Sequence, residues 1–283
     1  MQRFVMTDGS DQECRLDYLI GKLKEESVRY GNLSVSGDYG EKRRILRSLM
    51  NIRMPGEIPE DVLTIQDEFL ENEAKEKGIV TLDSIPSIKE QYASTNIWAD
   101  KLSIWQGDIT RLKTGAIVNA ANSQMLGCFV PCHRCIDNAI HSAAGMQLRE
   151  ECSHIMDKKR ADYGKDYEEP VGRAVITKGY NLPAEYVIHT VGPIVMHGLS
   201  EALCKDLQNC YYSVLDCAAE HKIRSVAFCC ISTGEFHFPN KEAADIAVRT
   251  VTGFLEQYPD TFDRIIFNVF KETDKELYEE RLM

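Results

Sequence analysis

Thiols and one imidazole are concentrated in a short stretch near the middle of this 283-residue chain. Cys128, His133 and Cys135 follow the pattern C-x4-H-x-C. Thiolate and imidazole are ligands that Zn²⁺ favours, and three protein ligands leave a fourth coordination position open, as is typical of catalytic zinc sites. The stretch therefore predicts a metal site at which water or a ligand can reach the ion.

Two other interpretations of these thiols remain open. Cys132 and Cys135 form a C-x-x-C pair, and such pairs carry redox chemistry when they open a helix in a thioredoxin-like βαβ unit. The thiols can also be buried residues without any reactivity. The zinc interpretation suits the mixture of sulfur and nitrogen ligands best, and Cys132 is an extra thiol that could replace Cys128 or Cys135 in the ligand set.

A pair of asparagines brackets the end of a predicted strand just before this stretch. Asn119 and Asn122 stand where asparagine is disfavoured by strand geometry. An amide side chain both donates and accepts hydrogen bonds, which suits the hydroxyl groups of a sugar. The alternative is that both side chains tether the loop by bonding to its backbone. The pair predicts a polar pocket beside the metal site.

A second polar loop follows another predicted strand. Its residues are Ser232, Thr233, Gly234, Glu235 and Phe236. Successive small residues can turn backbone N–H groups inward and form a nest for a diphosphate. With a net charge of −11, the protein must bind an anion through such local groups. The Glu235 carboxylate is expected to point outward, and Asn240 is expected to cap the next helix.

The elements that position these loops alternate between short β-branched runs and longer amphipathic runs. This alternation predicts a three-layer α/β/α domain with a mostly parallel or mixed sheet of about six strands. The predicted strands are 102–105, 116–120, 174–177, 186–191, 226–231 and 265–270, and the predicted helices are 135–156, 201–220, 241–258 and 275–282. Ligands on such sheets bind at the carboxyl ends of the strands, where both polar loops begin.

Residues 1–92 have a different pattern. Apolar residues recur at helical spacing around Leu16 and around Ile45, and a further helix is expected to restart at Asp67 after a break at 54–59. The sequence therefore predicts a helical N-terminal extension over 1–92 and an α/β domain over 93–283.

Composition excludes several classes of function. A net charge of −11 argues against binding to nucleic acid, which requires clustered lysine and arginine. No apolar run is long enough for a membrane span, so no membrane association is expected. The first residues lack the apolar core of a signal peptide. Ten cysteines without an export signal indicate a reducing cytoplasm, so we expect a cytoplasmic protein.

Three separated motifs together resemble one known family. Gly107–Thr110 (GDIT), Asn119–Asn122 (NAAN) and Ile231–Pro239 (ISTGEFHFP) occur in the order and context of the macrodomains, which bind ADP-ribose. The cysteines and histidine stand where most macrodomains carry glycines, which resembles the zinc-dependent subclass of bacteria and fungi. The resemblance implies Cys128, His133 and Cys135 as the ligands, because the position of Cys132 is not a ligand in the pattern of that subclass. The resemblance covers about two thirds of the chain, and it implies the macrodomain fold with zinc as cofactor.

The resemblance also implies roles for individual residues. Asp108 would accept a hydrogen bond from the adenine amine, and the backbone of Ile109 would contact the ring. Asn122 would face the distal ribose, with Asn119 nearer the pocket floor, and Asp137 would help to position the attacking water. An ordinary alternative for Asp137 is an acid in the first turn of a helix, stabilised by about 0.3–1 kcal/mol through the helix dipole.

The function implied is a zinc-dependent hydrolase that removes mono-ADP-ribose from modified protein side chains through an Asp or Glu ester. The alternative is a non-catalytic ADP-ribose-binding module with a structural zinc. Members of the subclass are often paired with a sirtuin-like transferase that modifies a lipoyl-carrier protein, which is therefore the partner that the resemblance implies. A thiol redox protein is the third possibility, and it predicts a disulfide between Cys132 and Cys135.

Overall fold

The computed structural model describes residues 8–27, 29–35 and 37–283, and it begins with three helices. These are α1 (Asp8–Glu25), α2 (Tyr39–Ile52) and α3 (Glu60–Lys77). They share a core of apolar residues whose spacing puts them on one face of each helix. Its buried members include Leu16, Leu19, Ile20, Leu23, Leu46, Leu49, Met50, Val62, Phe69 and Leu70. The predicted helical extension is confirmed, although α3 begins before Asp67.

A six-stranded sheet forms the centre of the second unit. In the described residues the strands are β1 (Val80–Thr81), β2 (Leu102–Gln106), β3 (Leu112–Lys113), β4 (Ala116–Ala121), β5 (Ala174–Lys178), β6 (Tyr186–Val191), β7 (Ser225–Phe228) and β8 (Arg264–Val269). The main sheet has the order β2-β8-β7-β4-β6-β5. Its neighbours are parallel except for β5, which runs antiparallel to β6. The predicted mixed sheet is confirmed.

Helices cover this sheet and complete the predicted three-layer α/β/α architecture. Their bounds are α4 (Ile88–Tyr92), α5 (Ile136–Ala144), α6 (Met146–Tyr163), α7 (Glu201–Glu220), α8 (Asn240–Gln257) and α9 (Glu272–Leu282). Helix α8 packs against both α7 and α9. Helix α5 contacts β4, and α6 contacts β5. Because β4 lies between β6 and β7, the loops that follow β4 and β7 are neighbours at one edge of the sheet.

One predicted helix, 135–156, is in fact two. Gly145 adopts a φ of +98° between α5 and α6, a conformation that glycine tolerates without steric cost. The side chain of Gln66 on α3 lies against this break, where its Oε1 accepts a 2.9 Å hydrogen bond from the Met146 N–H. A Cβ on Gly145 would lie 2.7 Å from Gln66 Nε2. A residue of the extension therefore starts α6, which no local pattern reveals.

The predicted end of β7 and the predicted start of α9 are each wrong by three residues, since α9 begins at Glu272 and not at residue 275. Strand β7 ends at Phe228, not at residue 231, since only Val226 and Ala227 pair with β4. The chain then leaves the sheet and forms the second polar loop. Helix α8 begins at Asn240 with Pro239 in the cap position. The Asn240 amide donates to Asp274 Oδ1 at 2.5 Å and does not cap the helix.

The segment between α3 and β2 packs with the α/β unit. Strand β1 pairs in parallel with β3, and Ile85 and Ile88 are buried in the core of the main sheet. The apolar core of the α/β unit thus includes residues that precede position 93. Among the described residues, no helix has both the length and the apolar character needed to cross a membrane.

Candidate functional site

Two loops meet at the carboxyl edge of the sheet. The loop after β4 carries Cys128, His133 and Cys135, and the loop after β7 carries Ser232–Phe236. They contact each other where His133 Nε2 lies 3.6 Å from Glu235 Oε1. The Glu235 side chain is 67% exposed, in accord with an outward carboxylate. The sequence did not indicate this contact, because nothing in either motif points to the other.

The asparagines at the end of β4 converge on Asp137 in the first turn of α5. Asn119 Nδ2 donates to Asp137 Oδ1 at 2.8 Å, and Asn122 Nδ2 donates to Asp137 Oδ2 at 3.3 Å. Asp137 is only 5% exposed, and this burial raises the pKa of its carboxyl group to about 6, although the Asn119 hydrogen bond opposes the shift. The carboxyl group is therefore held in a fixed orientation by the strand beside it.

Asn122 also organises the start of the loop after β4 that carries the predicted metal ligands, which we call the metal loop. Its Nδ2 donates to the Gly127 carbonyl at 3.1 Å, and its Oδ1 accepts from the Gln124 N–H at 3.0 Å. All the hydrogen-bonding groups of its amide thus have protein partners. Asn122 therefore tethers the loop through its backbone, as in the alternative interpretation, and it also donates to the Asp137 carboxylate.

A buried histidine lies behind this arrangement. His189 is fully buried, with Nδ1 3.1 Å from Asn119 Nδ2 and Nε2 2.9 Å from Thr177 Oγ1. As the amide must donate, Nδ1 accepts and Nε2 carries the proton. The sulfur of Cys152 and the ring of His141 lie nearby, in a group whose ligand atoms fall within 4.8 Å of one another. Because both nitrogens of His189 are already bonded, this histidine acts as a polar residue of the core.

The three predicted metal ligands come together. Ligand atoms of Cys128, His133 and Cys135 lie within 4.8 Å of one another, and all three residues are half-buried. The Cys128 sulfur is 3.6 Å from His133 Nδ1. Burial raises the pKa of Cys135 to about 12, and the neighbouring Cys128 and Asp137 add to the shift. Two thiols and one imidazole at this separation fit a zinc ion, whose charge would stabilise the thiolate forms.

Cys132 points away from this cluster. Its sulfur lies 3.2 Å from Ser48 Oγ and 3.4 Å from the Arg44 carbonyl, both on α2. Its backbone adopts a φ of +51°, which turns the side chain out of the path of its neighbours. All ten cysteines are free. The geometry thus matches a ligand set without Cys132 and does not pair Cys132 with Cys135.

The second polar loop presents backbone donors. Ser232 has a φ of +64° and is buried, and a Cβ on Gly192 would lie 2.0 Å from its Oγ. The turn is closed by His237 N donating to the Gly234 carbonyl and Phe238 N donating to the Ser232 carbonyl. Strained residues of this kind cluster at ligand-binding loops. The N–H groups of Gly234, Glu235 and Phe236 have no protein acceptor within the described ranges, so they remain free for an anion.

The opposite end of this edge is open. Asp108 is exposed, and its Oδ1 accepts from the Thr110 N–H at 3.0 Å and from Thr110 Oγ1 at 2.7 Å. The side chain of Ile109 is buried, so only its backbone can meet a ligand. Phe270, which was predicted only as the last residue of a strand, is 77% exposed just after β8. The adjacent Val269 carbonyl accepts from the Gly107 N–H. The available signal in the sequence was a phenylalanine at the end of the apolar run 265–270, at the edge where ligands are expected.

Known proteins with this fold define its class. Residues 118–247 match the family model described as the Macro domain. The structure is similar to that of a Trypanosoma brucei macrodomain in complex with ADP-ribose, with 27% sequence identity and a TM-score of 0.63 over 84% of this chain and 95% of that chain. The chain belongs to the macrodomain family.

Within that family, the chain is similar to proteins that are named protein-ADP-ribose hydrolase. The relative from Treponema medium is 44% identical over 94% of this chain and 97% of its own length. The relative from Staphylococcus aureus (strain MSSA476) is 40% identical over 95% of this chain and 95% of its own length. Both matches extend well beyond the macrodomain and include most of the helical extension.

Proposed function

We propose that this protein is a zinc-dependent hydrolase that removes mono-ADP-ribose from modified protein side chains. The observation that carries the proposal is the first turn of α5, where Cys135 of the metal cluster is followed two residues later by the buried Asp137. A metal cluster and an oriented carboxyl group thus share one rigid element. The hydrolase relatives support the same activity.

The ligand would lie along the carboxyl edge of the sheet. Asp108 and the backbone of Ile109 would bind the adenine amine and ring, and Phe270 would provide an aromatic surface for the base. The free N–H groups of the Ser232–Phe236 loop would bind the diphosphate. In this order the distal ribose would lie beside Phe236 and the cysteine cluster, at the end of the site where Asp137 is buried.

The reaction consumes one water molecule and breaks the bond between C1″ of the distal ribose and the acceptor oxygen. Its products are ADP-ribose and the free side chain of the target, which for an ester is a carboxylate. Zinc held by Cys128, His133 and Cys135 would supply Lewis-acid chemistry at the distal ribose. Asp137 would orient the water through Oδ2, while Asn119 and Asn122 fix the carboxyl plane by donating to its two oxygens.

The acceptor linkage and the protein partner follow from the resemblance to the zinc-dependent subclass. An Asp or Glu ester is the linkage proposed, and a lipoyl-carrier protein modified by a sirtuin-like transferase is the first substrate to assay. The open mouth of the site supports a protein substrate, since His133 and Glu235 at the loop junction are both solvent-accessible.

The decisive experiment incubates the purified full-length protein with an ester-linked mono-ADP-ribosylated target, with and without a chelator. Released ADP-ribose and zinc content are measured on the same samples. We expect zinc in the untreated protein, hydrolysis that the chelator stops, and recovery when zinc is restored. Hydrolysis at full rate by metal-free protein would refute the zinc mechanism.

The binding-module alternative predicts a different pattern in the same experiment. A reader with a structural zinc would bind ADP-ribose and release none from the target, whether or not zinc is present. The hydrolase should still bind ADP-ribose after chelation, because the adenine and diphosphate contacts do not involve the cysteine cluster. Binding measured by calorimetry on both samples separates the two functions.

A further inference from the structure

Helix α2 of the N-terminal extension lies directly against the loop that carries the predicted metal ligands. Ser48 approaches Cys132, as described above, and α2 also contacts α5. The relevant side chains project from successive turns of the helix, at positions 44, 47, 48 and 51. Residues at this spacing share one face, so a single face of α2 faces the loop.

Arg47 supplies the central contact. Its Nε and Nη2 donate to Asn138 Oδ1 at 3.0 and 2.6 Å, and Nη2 also donates to the His133 carbonyl at 3.2 Å. With its oxygen bound to Arg47, the fully buried Asn138 amide must turn its NH₂ group toward the loop, where it donates to the Val130 carbonyl at 3.0 Å and to the Cys128 carbonyl at 3.5 Å. Arg47 thus fixes the orientation of the side chain that holds the loop.

Asn51 provides a second contact one turn further along α2. It is 1% exposed, accepts from the Cys132 N–H at 2.9 Å, and donates to Ser142 Oγ at 3.0 Å. Cys132 has a positive φ, which costs free energy unless the surroundings impose it. Asn51 is the partner that imposes it, so the sharp turn between His133 and the preceding residues depends on α2.

The end of α2 is itself anchored to the metal loop. Arg149 of α6 is 6% exposed. Its Nη1 donates to the carbonyls of Met50, Asn51 and Arg53 at 2.9, 2.9 and 2.7 Å, and its Nε donates to the Leu126 carbonyl at 2.7 Å. One guanidinium therefore joins the C-terminus of α2 to the start of the loop, and the helix cannot shift without moving the loop.

We propose that α2 is part of the metal site, with Arg47 and Asn51 as positioning residues that hold Cys128, His133 and Cys135 in their ligating arrangement. The inference rests on the proposed function, because it takes the cluster to be the zinc site. Partners that orient metal ligands typically change metal affinity by about 10–100-fold when they are removed. The helical extension thus contributes to metal retention and not only to stability.

The test measures zinc affinity by competition with a chromophoric chelator in the full-length protein and its variants. Arg47→Met should bind zinc about 10–100-fold more weakly than the wild type. Arg47→Lys should lie between them, because an ammonium group is a single point donor and cannot reproduce the forked contact. ADP-ribose affinity should change little in either variant, since adenine and diphosphate are bound elsewhere.

Arg43→Met is the matched control. Arg43 lies one turn earlier on α2 and pairs with Glu73 of α3, with Nη2 2.8 Å from Oε2, so its loss should weaken the extension and leave zinc affinity within about twofold. Thermal melting verifies that each variant is folded. If Arg47→Met does not fold, the comparison of Arg47→Lys with the wild type decides.

The inference would be overturned if folded Arg47→Met bound zinc as tightly as the wild type. If Arg47→Met does not fold, the same result for Arg47→Lys would overturn it. In both cases the proposed function would remain intact. An equal loss of affinity in Arg43→Met would also overturn it, because general destabilisation would then be the cause. A wild-type protein that binds no zinc would remove the proposed metal site and this inference together.

Discussion

The two ends of the candidate pocket differ in how deeply their polar groups are buried. At the adenine end, Asp108 is exposed and Phe270 is 77% exposed. At the distal end, Asn119 is fully buried and Asp137 is 5% exposed, and each has a protein partner. An open end can adapt to a ligand, whereas a buried and cross-linked end is pre-organised before the ligand arrives. We therefore expect the open end to contribute mainly to ligand affinity and the buried end to contribute to the chemistry.

The largest effect is expected at the metal cluster. Cys135→Ser should abolish zinc binding and turnover, because a hydroxyl is a poor zinc ligand, while the serine can still cap α5. ADP-ribose affinity should persist. Metal analysis, the release assay and calorimetry measure the three quantities. Cys132→Ser is the control and should retain zinc and activity, since its sulfur faces α2. Full activity in zinc-free Cys135→Ser would contradict the division of roles.

Asp137→Asn should have the next largest effect. Replacing the carboxyl group by an amide removes the acceptor that orients the water, so kcat should fall by about 10²–10⁴-fold, with ADP-ribose affinity changed by less than about tenfold. Steady-state kinetics and calorimetry test this separation. Asp157→Asn changes an acid on α6 whose side chain is 65% exposed, and it should leave both quantities unchanged. An unchanged kcat in Asp137→Asn would show that the buried end is structural.

Lowering the pH should decrease the free energy of unfolding, because His189 is buried at the distal end of the pocket. Burial lowers the pKa of His189 from 6.5 to about 3, so the unfolded chain takes up a proton at a higher pH than the folded protein does. The resulting stability is complete above about pH 6.5 and is lost as the pH falls toward 3, by up to roughly 5 kcal/mol in total. Cys152 and His141 face the same ring.

Chemical unfolding between pH 7 and pH 4 measures this loss. His189→Gln should reduce the loss of stability at low pH, because glutamine has no proton to gain, while His141, whose pKa burial also lowers, keeps its own contribution. His154→Gln is the control, since the His154 side chain is 73% exposed on α6, and it should keep the wild-type slope. The prediction does not survive if His189→Gln and the wild type lose stability in parallel.

Phe270→Ala should have the smallest effect, and the quantity affected should be the affinity for ADP-ribose. Loss of a stacked base costs about 1–3 kcal/mol, so ADP-ribose should bind about 5–150-fold more weakly while kcat at saturation changes little. Ile97→Ala removes an apolar side chain of equal exposure, 77%, that precedes β2, and its affinity should be unchanged. A fall in kcat without a change in affinity would reverse the proposed roles of the two ends.

Much of the site was predictable because its residues lie close together in sequence. The cluster of Cys128, His133 and Cys135 falls within eight positions, and a single loop can bring such residues together in almost any fold. The strands were predictable as well, because buried parallel strands have continuous apolar runs. The break at Gly145 was not, since the glycine alone does not show that Gln66 caps the following helix.

Contacts between segments that are distant in the chain could not be predicted from the sequence motifs. Arg47 and Asn138 are separated by 91 positions, and His133 and Glu235 belong to loops that follow different strands. An arginine on an amphipathic helix usually faces solvent, so nothing marked Arg47 as a partner of the metal loop. Local patterns report which side chains are available, and they do not report which of them face each other.

The sequence by itself determined the chemistry that is available: two thiols, an imidazole, paired asparagines and a loop of small residues, each at the end of a predicted strand. The tertiary structure decided how these groups are oriented. Strand order places the loops after β4 and β7 side by side, and α2, which lies outside the sheet, contacts the segment that holds the metal loop through Arg47. The physical reason is that hydrogen bonds and ion contacts depend on distances of a few ångströms, which the packing of remote segments sets.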